Sequence, residues 1–292
     1  MKILVLGKNG QLGKCLYESL KNCEYESIFF SREDVDVNNF LDAKSKILKI
    51  QPDIIINATA YTQVDKAEEE KELSNLTNNV AVRNIADISN IIGCVLFHIS
   101  TDYVFDGNKK SSYKENSTTN PQCEYGTSKL KGEVAVQQSG CKYFIIRTSW
   151  LFSAYGNNFL KTMIRLANEG DEIKIVGDQV GRPTYAPDLS NAICRMLPMI
   201  SSENINSTYH YSGDKECSWV DFASIIFDIA HKINLINTKP SVKVIKTAEY
   251  LTQAKRPLHS SLDSSLIKEV FGISPSNWNL GIKSVVESLV WD

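Results

Sequence analysis

The amino-acid sequence predicts an α/β protein with a doubly wound parallel sheet and a smaller mixed lobe in its C-terminal part. In the first half, short apolar runs rich in β-branched residues alternate with amphipathic segments. This alternation is typical of a parallel sheet covered by helices on both faces. A glycine-rich turn follows the first apolar run, and the alternation loosens after Trp150. Right-handed crossovers in such a sheet place the ligand at the carboxyl ends of the strands.

The order of the elements follows from the hydrophobic period. The predicted strands are 3–6, 27–30, 53–57, 94–99, 143–147, 172–176 and 209–211, and the predicted helices are 12–20, 43–50, 73–91, 125–138, 158–167, 188–199, 219–231, 264–271 and 282–290. We expect a dinucleotide-binding domain at 1–149, to which 178–211 returns. The predicted substrate-binding lobe comprises 150–177 and 212–292.

Composition and charge exclude several classes of function. Lysine and arginine total 32 against 34 aspartate and glutamate, a net charge of -2, so no electrostatic argument supports a nucleic-acid or membrane-surface partner. The N-terminal apolar run ends at Gly7, too soon for a signal peptide, and no later run approaches the length of a membrane span. We therefore expect a cytoplasmic protein.

The cysteines and histidines form no pattern typical of a metal site or a disulfide framework. Seven cysteines are scattered without a Cys-x-x-Cys pair, as is usual for reduced thiols in a cytosolic protein. The four histidines are single, and His98 lies inside an apolar strand, where a buried structural imidazole is the usual role. We predict no metal site, and the sequence leaves the choice between a monomer and a homodimer open.

A glycine-rich turn follows the first predicted strand and opens the first predicted helix. Glycines in this context permit a tight turn, the approach of a pyrophosphate to the backbone and close packing of the helix on the sheet. The N-terminus of the helix then faces the phosphates. The pattern predicts a dinucleotide site of the Rossmann type, and the turn residues expected to contact the cofactor are Gly7, Asn9, Gly10, Gln11, Leu12 and Gly13.

The end of the second predicted strand discriminates between the two nicotinamide cofactors. There Phe30 is followed by Ser31, Arg32 and Glu33. Ser31 and Arg32 are suited to a 2′-phosphate, whereas Glu33 is suited to free ribose hydroxyls, and Arg32 is equally well explained as a solvated loop residue. We predict NADPH as the cofactor, with NADH as the alternative.

Tyr125 and Lys129 are four residues apart and share one face of a predicted helix. An ammonium near a phenol favours the phenolate, so we expect Lys129 to lower the Tyr125 pKa from its usual value of about 10. The pair follows a nucleotide site and a strand that ends in Ser100 and Thr101, and this context predicts hydride transfer to a carbonyl. Tyr125 is the predicted proton donor, Thr101 the hydrogen-bond partner of the carbonyl, and Lys129 the ligand of the nicotinamide ribose.

These motifs resemble those of the extended short-chain dehydrogenase/reductases, and in particular the dTDP-4-dehydrorhamnose reductase family. The resemblance covers nearly the whole chain, and several motifs are specific to that family. They occupy residues 7–13, 57–68, 100–107, 125–129, 147–150, 156–159, 178–184 and 256–257. The resemblance implies NAD(P)H-dependent reduction of the 4-keto group of dTDP-4-dehydro-6-deoxy-L-mannose to dTDP-L-rhamnose, a precursor of bacterial surface polysaccharide.

The resemblance also implies roles for individual positions. Thr101, Tyr125 and Lys129 match the catalytic triad. Positions expected around the sugar nucleotide are Thr62, Val64, Thr101, Asp102, Tyr103, Trp150 and Arg256, of which Trp150 is either an apolar wall for the sugar or a core residue at the lobe junction. Positions expected around the adenine and ribose are Asp36, Val37, Ala58, Thr59, Ala60 and Asn78. Some relatives bridge a dimer with magnesium through carboxylates near the first helix, but Lys14 and Cys15 supply none.

Three alternatives accompany this interpretation. Sugar-nucleotide dehydratases and epimerases share the fold, but dehydratases carry a second acidic residue after the Thr-Asp pair, and Tyr103 stands there. A non-catalytic regulatory subunit, like the β subunit of methionine adenosyltransferase, would keep the nucleotide site, but the presence of Thr101, Tyr125 and Lys129 favours a working enzyme. A reductase that forms another dTDP-6-deoxysugar, such as the C4 epimer, is not distinguished by the sequence.

Overall fold

The computed structural model describes residues 1–21, 23–170 and 172–289. Within these ranges the chain forms twelve strands and ten α-helices. The strands are β1 (Lys2–Leu6), β2 (Glu26–Phe30), β3 (Ile54–Asn57), β4 (Val95–Thr101), β5 (Lys142–Thr148), β6 (Leu151–Phe152), β7 (Glu172–Val176), β8 (Val180–Gly181), β9 (Thr184–Tyr185), β10 (Ser207–His210), β11 (Cys217–Ser218) and β12 (Ser241–Ile245). The helices are α1 (Gln11–Leu20), α2 (Phe40–Ile50), α3 (Lys71–Asn75), α4 (Ala81–Ile92), α5 (Glu124–Gln138), α6 (Phe159–Glu169), α7 (Ala186–Met196), α8 (Trp219–Lys232), α9 (Ser265–Phe271) and α10 (Trp278–Ser288).

Six of these strands form one parallel sheet in the order β10-β5-β4-β3-β1-β2. The chain leaves β1 for β2 on one side and then returns to build β3, β4 and β5 on the other side. This reversal opens a crevice between β1 and β3 at the carboxyl ends of the strands, the usual ligand position in such a sheet. The predicted α/β fold with a doubly wound parallel sheet is therefore confirmed.

Both faces of the sheet are buried, and this explains why the strands are apolar without interruption. In β1, Ile3 and Val5 belong to the core on one face, whereas Leu4 and Leu6 belong to the core on the other. Helices α1, α7 and α9 contribute residues to the first core, and α2 and α4 contribute to the second. Two segments of the predicted return, β10 and α7, thus belong to the main sheet and to the core on one of its faces. The predicted domain boundaries stay a prediction.

A third core lies in the C-terminal part and joins α6, α8 and α10 around Phe152 and Phe222. Beside it β7 and β12 form a two-stranded parallel pair in which Ile173 is opposite Val242. β12 and the two-residue strands β6, β8, β9 and β11 were not predicted from the sequence. Most residues of β12 lie at least partly exposed, and it therefore carries no clear apolar period.

The predicted helix at 73–91 is divided by one π-helical turn, Leu76–Val80, between α3 and α4. The turn places Asn78 inside the protein, close to α5, where a β-carbon on Gly132 would lie 2.2 Å from the Asn78 carbonyl oxygen. Such local widening is common near functional sites and is invisible to a 3.6-residue period. Helix α10 begins before the predicted 282–290, and residue 290 of that prediction lies outside the described residues.

None of the helices in the described part of the chain has the length and apolar character that crossing a membrane requires. The same ranges contain no group of three or more histidine, cysteine, aspartate or glutamate side chains placed to hold a metal ion. All seven cysteines are free thiols.

Candidate active site

The turn between β1 and α1 accepts glycine alone at two positions. Gly7 has a φ of +96°, and a β-carbon there would lie 2.8 Å from the Ala58 carbonyl oxygen. A β-carbon on Gly13 would lie 2.1 Å from the Gly7 carbonyl oxygen. Helix α1 begins with no side-chain cap and no acidic residue in its first turn, so its first N–H groups are available to an anion. This geometry fits the pyrophosphate of a dinucleotide.

A pocket extends from this turn across the carboxyl ends of β1, β2 and β3. Ten of the predicted cofactor positions line it: Gly7, Asn9, Gly10, Ser31, Arg32, Asp36, Val37, Ala58, Thr59 and Ala60. Five further residues that were not predicted from the sequence also line it: Leu6, Phe30, Val35, Asn38 and Thr77. These five carry no motif of their own, and their only sequence signal is that they adjoin strand ends or predicted positions.

Other predicted cofactor positions lie outside the lining of this pocket. Leu12 belongs to the core beneath α1. The Gln11 carboxamide oxygen accepts hydrogen bonds from the Ser153 hydroxyl and the Asn158 amide, both at 3.0 Å, and so ties α1 to the following lobe. Asn78 is fully buried, and its amide is bonded to the Tyr61 backbone N–H at 2.9 Å and carbonyl at 3.0 Å. Gln11 and Asn78 therefore shape the pocket through bonds to protein groups.

Where the pocket reaches the end of β2, Ser31 and Arg32 differ in availability. The Ser31 hydroxyl donates to the Asp34 carboxylate at 2.8 Å, and its backbone N–H donates to the same oxygen at 2.7 Å. Arg32 is exposed, and the described residues offer it no hydrogen bond or ion pair. Arg32 is therefore the side chain free to meet a 2′-phosphate, whereas Ser31 is engaged with Asp34.

Tyr125 lies in the first turn of α5, and its ring packs edge-to-face on Tyr103, with centroids 5.5 Å apart. Gly126 permits this approach, because a β-carbon there would lie 2.3 Å from the Tyr103 carbonyl oxygen. Lys129 follows one turn later and is 2% exposed. Thr101 ends β4 beside them. The structure therefore brings the three predicted catalytic residues together at the carboxyl end of β4.

The expected lowering of the Tyr125 pKa by Lys129 was wrong for this structure. Burial raises the Tyr125 pKa, and the charge on Asp102 raises it further, whereas a hydrogen bond with Thr101 opposes the rise. The Lys129 ammonium donates to the Ile99 carbonyl at 2.7 Å, and burial lowers the Lys129 pKa to about 8. Desolvation is the largest cause of both shifts, and it favours the uncharged form of each side chain.

Asp102 engages the Thr101 hydroxyl. That hydroxyl donates to the Asp102 carboxylate at 3.1 Å and accepts from the Tyr103 backbone N–H at 3.2 Å. Asp102 is 2% exposed, and burial raises its pKa to about 6. Because a hydroxyl has one proton, Thr101 must turn that proton away from Asp102 before it can donate to a substrate carbonyl.

The remaining predicted substrate positions belong to separate segments of the structure. Thr62 and Val64 belong to the loop after β3, which also carries Asp65. Arg256 binds Asp65 with both terminal nitrogens, at 3.0 and 2.7 Å. Trp150, half-buried at a φ of 47°, stacks on Trp219 of α8 with ring centroids 3.4 Å apart. The stacked pair fits the lobe-junction role expected for Trp150.

Sequence reasoning missed Asp65 and Glu133, although both touch predicted site residues or their neighbours. Asp65 binds Arg256. Glu133 lies one turn beyond Lys129 on α5 and is buried with Arg147 of β5 in an ion pair at 2.6 Å. The signal for Glu133 was its four-residue spacing from Lys129, which places both on one helix face.

Comparison with known proteins identifies the family. Residues 1–290 match the family described as RmlD substrate binding domain. A dTDP-4-dehydrorhamnose reductase of Aggregatibacter actinomycetemcomitans is 40% identical over 287 residues, covering 97% of this chain and 98% of the relative.

Two solved structures agree with this assignment. A dTDP-4-dehydrorhamnose reductase from Clostridium acetobutylicum has a TM-score of 0.92 at 36% identity, covering 99% of this chain and 100% of the other. A dTDP-4-dehydrorhamnose reductase from Bacillus anthracis, solved in complex with NADP, has a TM-score of 0.91 at 38% identity and covers 98% and 99% of the two chains. The chain matches dTDP-4-dehydrorhamnose reductases over nearly its whole length. It therefore belongs to the RmlD substrate binding domain family.

Proposed function

We propose that this chain is an NADPH-dependent reductase that converts the 4-keto group of dTDP-4-dehydro-6-deoxy-L-mannose to the alcohol of dTDP-L-rhamnose. The observation that carries the proposal is the meeting of Thr101, Tyr125 and Lys129 at the carboxyl end of β4, within the sheet whose crevice holds the dinucleotide pocket. The B. anthracis relative, 38% identical, was solved with NADP, which supports NADPH as the cofactor. NADH remains the alternative cofactor.

The cofactor, when bound, supplies a hydride to C4 of the substrate. As negative charge develops on the carbonyl oxygen, the Tyr125 phenol gives its proton to that oxygen. The raised Tyr125 pKa suits this role because it keeps the phenol protonated before the reaction. A hydrogen bond with Thr101 favours the phenolate that remains. The Lys129 ammonium, one turn away on the same helix face, is proposed to stabilise it further. One ammonium proton is held by the Ile99 carbonyl, and the other two are available to the nicotinamide ribose.

The sugar nucleotide is proposed to lie between the loop after β3 and the segment that ends at Arg256. Thr62, Val64 and Tyr103 line this side of the cleft in the proposal, and Asp102 orients Thr101. The guanidinium of Arg256 is suited to the diphosphate, since arginine binds oxyanions with two parallel hydrogen bonds. Asp65 occupies the same two nitrogens in this structure.

The proposal places the reaction in the cytoplasm, in keeping with seven free cysteines and with the nucleotide substrate. The partner is a dTDP-sugar, with neither nucleic acid nor membrane involved. The chain is proposed to act as a monomer or a homodimer.

The test compares wild type with Tyr125→Phe in NADPH oxidation on dTDP-4-dehydro-6-deoxy-L-mannose. Loss of the proton donor is expected to lower kcat about 10²- to 10⁴-fold while the dissociation constant of NADPH stays within about twofold. Tyr17→Phe is the matched control, because that ring lies half-exposed on α1 and loses only a solvated hydroxyl. NMR of the product distinguishes dTDP-L-rhamnose from its C4 epimer.

Two outcomes would contradict the proposal. Unchanged turnover by Tyr125→Phe would remove Tyr125 as the donor. Absence of wild-type turnover with either nicotinamide, despite measurable cofactor binding, would overturn the substrate assignment and favour a regulatory subunit.

A further inference from the structure

Helix α5 presents Tyr125, Lys129 and Glu133 on one face, at intervals of one turn. This face is bonded to the end of β4. Lys129 donates to the Ile99 carbonyl at 2.7 Å, and the Ser100 hydroxyl donates to the Glu133 carboxylate. Tyr125 lies on the preceding turn of this face, where Thr101, the next residue of the strand, opposes the rise of its pKa. Two successive turns of the helix are thus bonded to two successive residues of the strand.

Glu133 extends this connection to a second strand. Its carboxylate accepts two hydrogen bonds from Arg147, at 2.9 Å from Nε and 2.6 Å from Nη2. Arg147 of β5 is the register partner of Ser100 of β4, so one carboxylate binds adjacent positions on neighbouring strands. The side chains of Arg147 and Glu133 are 5% and 1% exposed. A bidentate pair of this kind fixes orientation as well as distance.

Glu133 supplies the negative charge that compensates the buried cations among and next to the predicted catalytic residues. Lys129 and Arg147 are two buried cations, and the Glu133 carboxylate acts on both: it pairs with Arg147 and opposes the fall of the Lys129 pKa. The histidines nearby are neutral: burial lowers the His210 pKa to about 3, with Arg147 adding to the effect, and burial also lowers the His98 pKa well below its usual value. Asp102 is the other buried carboxylate here, and its charge acts on Tyr125. Glu133 is therefore the carboxylate that acts directly on Lys129.

We propose that Glu133 is a positioning residue for the reduction: it holds the Tyr125–Lys129 face of α5 against β4 and supplies the buried negative charge that keeps Lys129 an ammonium. This inference rests on the proposed function. It assigns the upper pH limit of the enzyme to a residue that touches neither substrate nor cofactor.

The sign of the pH effect follows from the groups that face Lys129. Burial lowers the Lys129 pKa to about 8, and Glu133 on the same helix opposes that fall. From β4, neutral His98 adds no charge, and from β5 Arg147 is neutralised by Glu133 itself. Removal of the carboxylate leaves burial unopposed and the Arg147 charge unpaired, and both effects lower the Lys129 pKa. The ammonium is then lost at a lower pH, so the alkaline limit of activity moves down.

Glu133→Gln tests this proposal through the pH profile of kcat from about pH 6 to about pH 9. The alkaline limb is expected to move down by about one pH unit, which lowers kcat at pH 8 by about fivefold. Glu133→Asp retains the charge and is expected to recover most of the wild-type limb. Ser100→Ala removes only the hydrogen bond to α5 and is expected to lower kcat by the same factor at every pH.

A second readout separates failure of this inference from failure of the proposed function. NADPH titration by fluorescence requires no sugar substrate, and its alkaline loss of affinity is expected to shift down with Glu133→Gln, because Lys129 is the ribose ligand. If Glu133→Gln does not fold, Arg147→Met carries the test in the opposite direction: it leaves the Glu133 carboxylate without its second cation, so the alkaline limb is expected to move up. An alkaline limb at the wild-type pH in a folded variant, in both readouts, would overturn the inference.

Discussion

Burial shifts the pKa of Tyr125, Lys129 and Asp102, and each shift favours the uncharged form. A neutral phenol is the form a proton donor needs. Because the Lys129 pKa is about 8, a small further shift caused by a neighbouring charge changes its protonation near neutral pH. The active-site residues are therefore tuned first by desolvation and only then by one another.

Asp102→Asn tests whether desolvation of the Asp102 carboxylate lowers the free energy of unfolding at neutral pH. The Asp102 pKa of about 6 lies above the unfolded value of about 3.9, so the stability from the protonated form is complete below about pH 4 and is lost as pH rises through about 6. An asparagine carries no charge to bury. We expect its free energy of unfolding to exceed that of wild type by about 1 to 3 kcal/mol at about pH 7.5. The difference should shrink toward zero near pH 4.

Urea unfolding at these two pH values measures the effect. Asp228→Asn is the matched control, since that carboxylate is 63% exposed and is expected to change stability by less than about 0.5 kcal/mol at either pH. Equal differences from wild type at both pH values for Asp102→Asn would show that the buried carboxylate bears no charge penalty.

At the scale of elements, the turn from β1 into α1 is the most constrained segment of the cofactor pocket. Gly7 and Gly13 approach backbone atoms so closely that no side chain fits. The π-helical turn at Leu76–Val80 serves the same pocket from the other side, because it buries Asn78 against the loop that carries Tyr61. The shape of the pocket therefore depends mainly on the backbone geometry of these two turns, and charged side chains contribute less to it.

Gly13→Ala is expected to weaken NADPH binding at least about tenfold and to lower the melting temperature. The new β-carbon would lie 2.1 Å from the Gly7 carbonyl oxygen, so the turn must open. Fluorescence titration and thermal melting measure the two effects. Gly170→Ala is the control, because no heavy atom lies within 4 Å of its added carbon and its φ is not positive. Equal NADPH affinities for Gly13→Ala and Gly170→Ala would show that close packing at Gly13 is not needed for cofactor binding.

At the scale of the whole molecule, two sets of polar bonds connect the C-terminal part of the chain to the part that carries the cofactor pocket. In the first set, Gln11 of α1 accepts from Ser153 and Asn158. In the second, Asp65 binds Arg256 and also accepts from the Ala254 backbone N–H at 3.2 Å. The second connection lies on the proposed substrate side, so its loss should affect the two ligands unequally.

Arg256→Ala is expected to raise the KM for the dTDP-sugar at least about tenfold, which corresponds to about 1.4 kcal/mol, a typical loss for a hydrogen bond to a charged group. The dissociation constant of NADPH should stay within about twofold, because the cofactor pocket is lined by other residues. Steady-state kinetics measure the KM for the dTDP-sugar, and fluorescence titration measures the dissociation constant of NADPH. Lys239→Ala removes an exposed cation paired with Asp228 and should change neither value. An equal effect of Arg256→Ala on both ligands would mean that it acts through the fold.

Local patterns in the sequence determined the fold and the centre of the site. Apolar period and glycine spacing depend on near neighbours along the chain, so they predicted the parallel sheet, the turn at Gly7 and the face shared by Tyr125 and Lys129. Boundaries shifted by a few residues. The π-helical turn and β12 were missed because neither has a regular apolar period, and β6, β8, β9 and β11 were missed because two residues are too few to show one.

Tertiary structure decided what surrounds each of those groups. The Asp65–Arg256 pair joins residues 191 positions apart, and Glu133 meets Arg147 only because α5 packs on two neighbouring strands. The direction of the Tyr125 pKa shift was wrong for the same reason. Spacing shows that Lys129 shares its face, but the exclusion of water, which dominates the shift, is produced by segments distant in sequence.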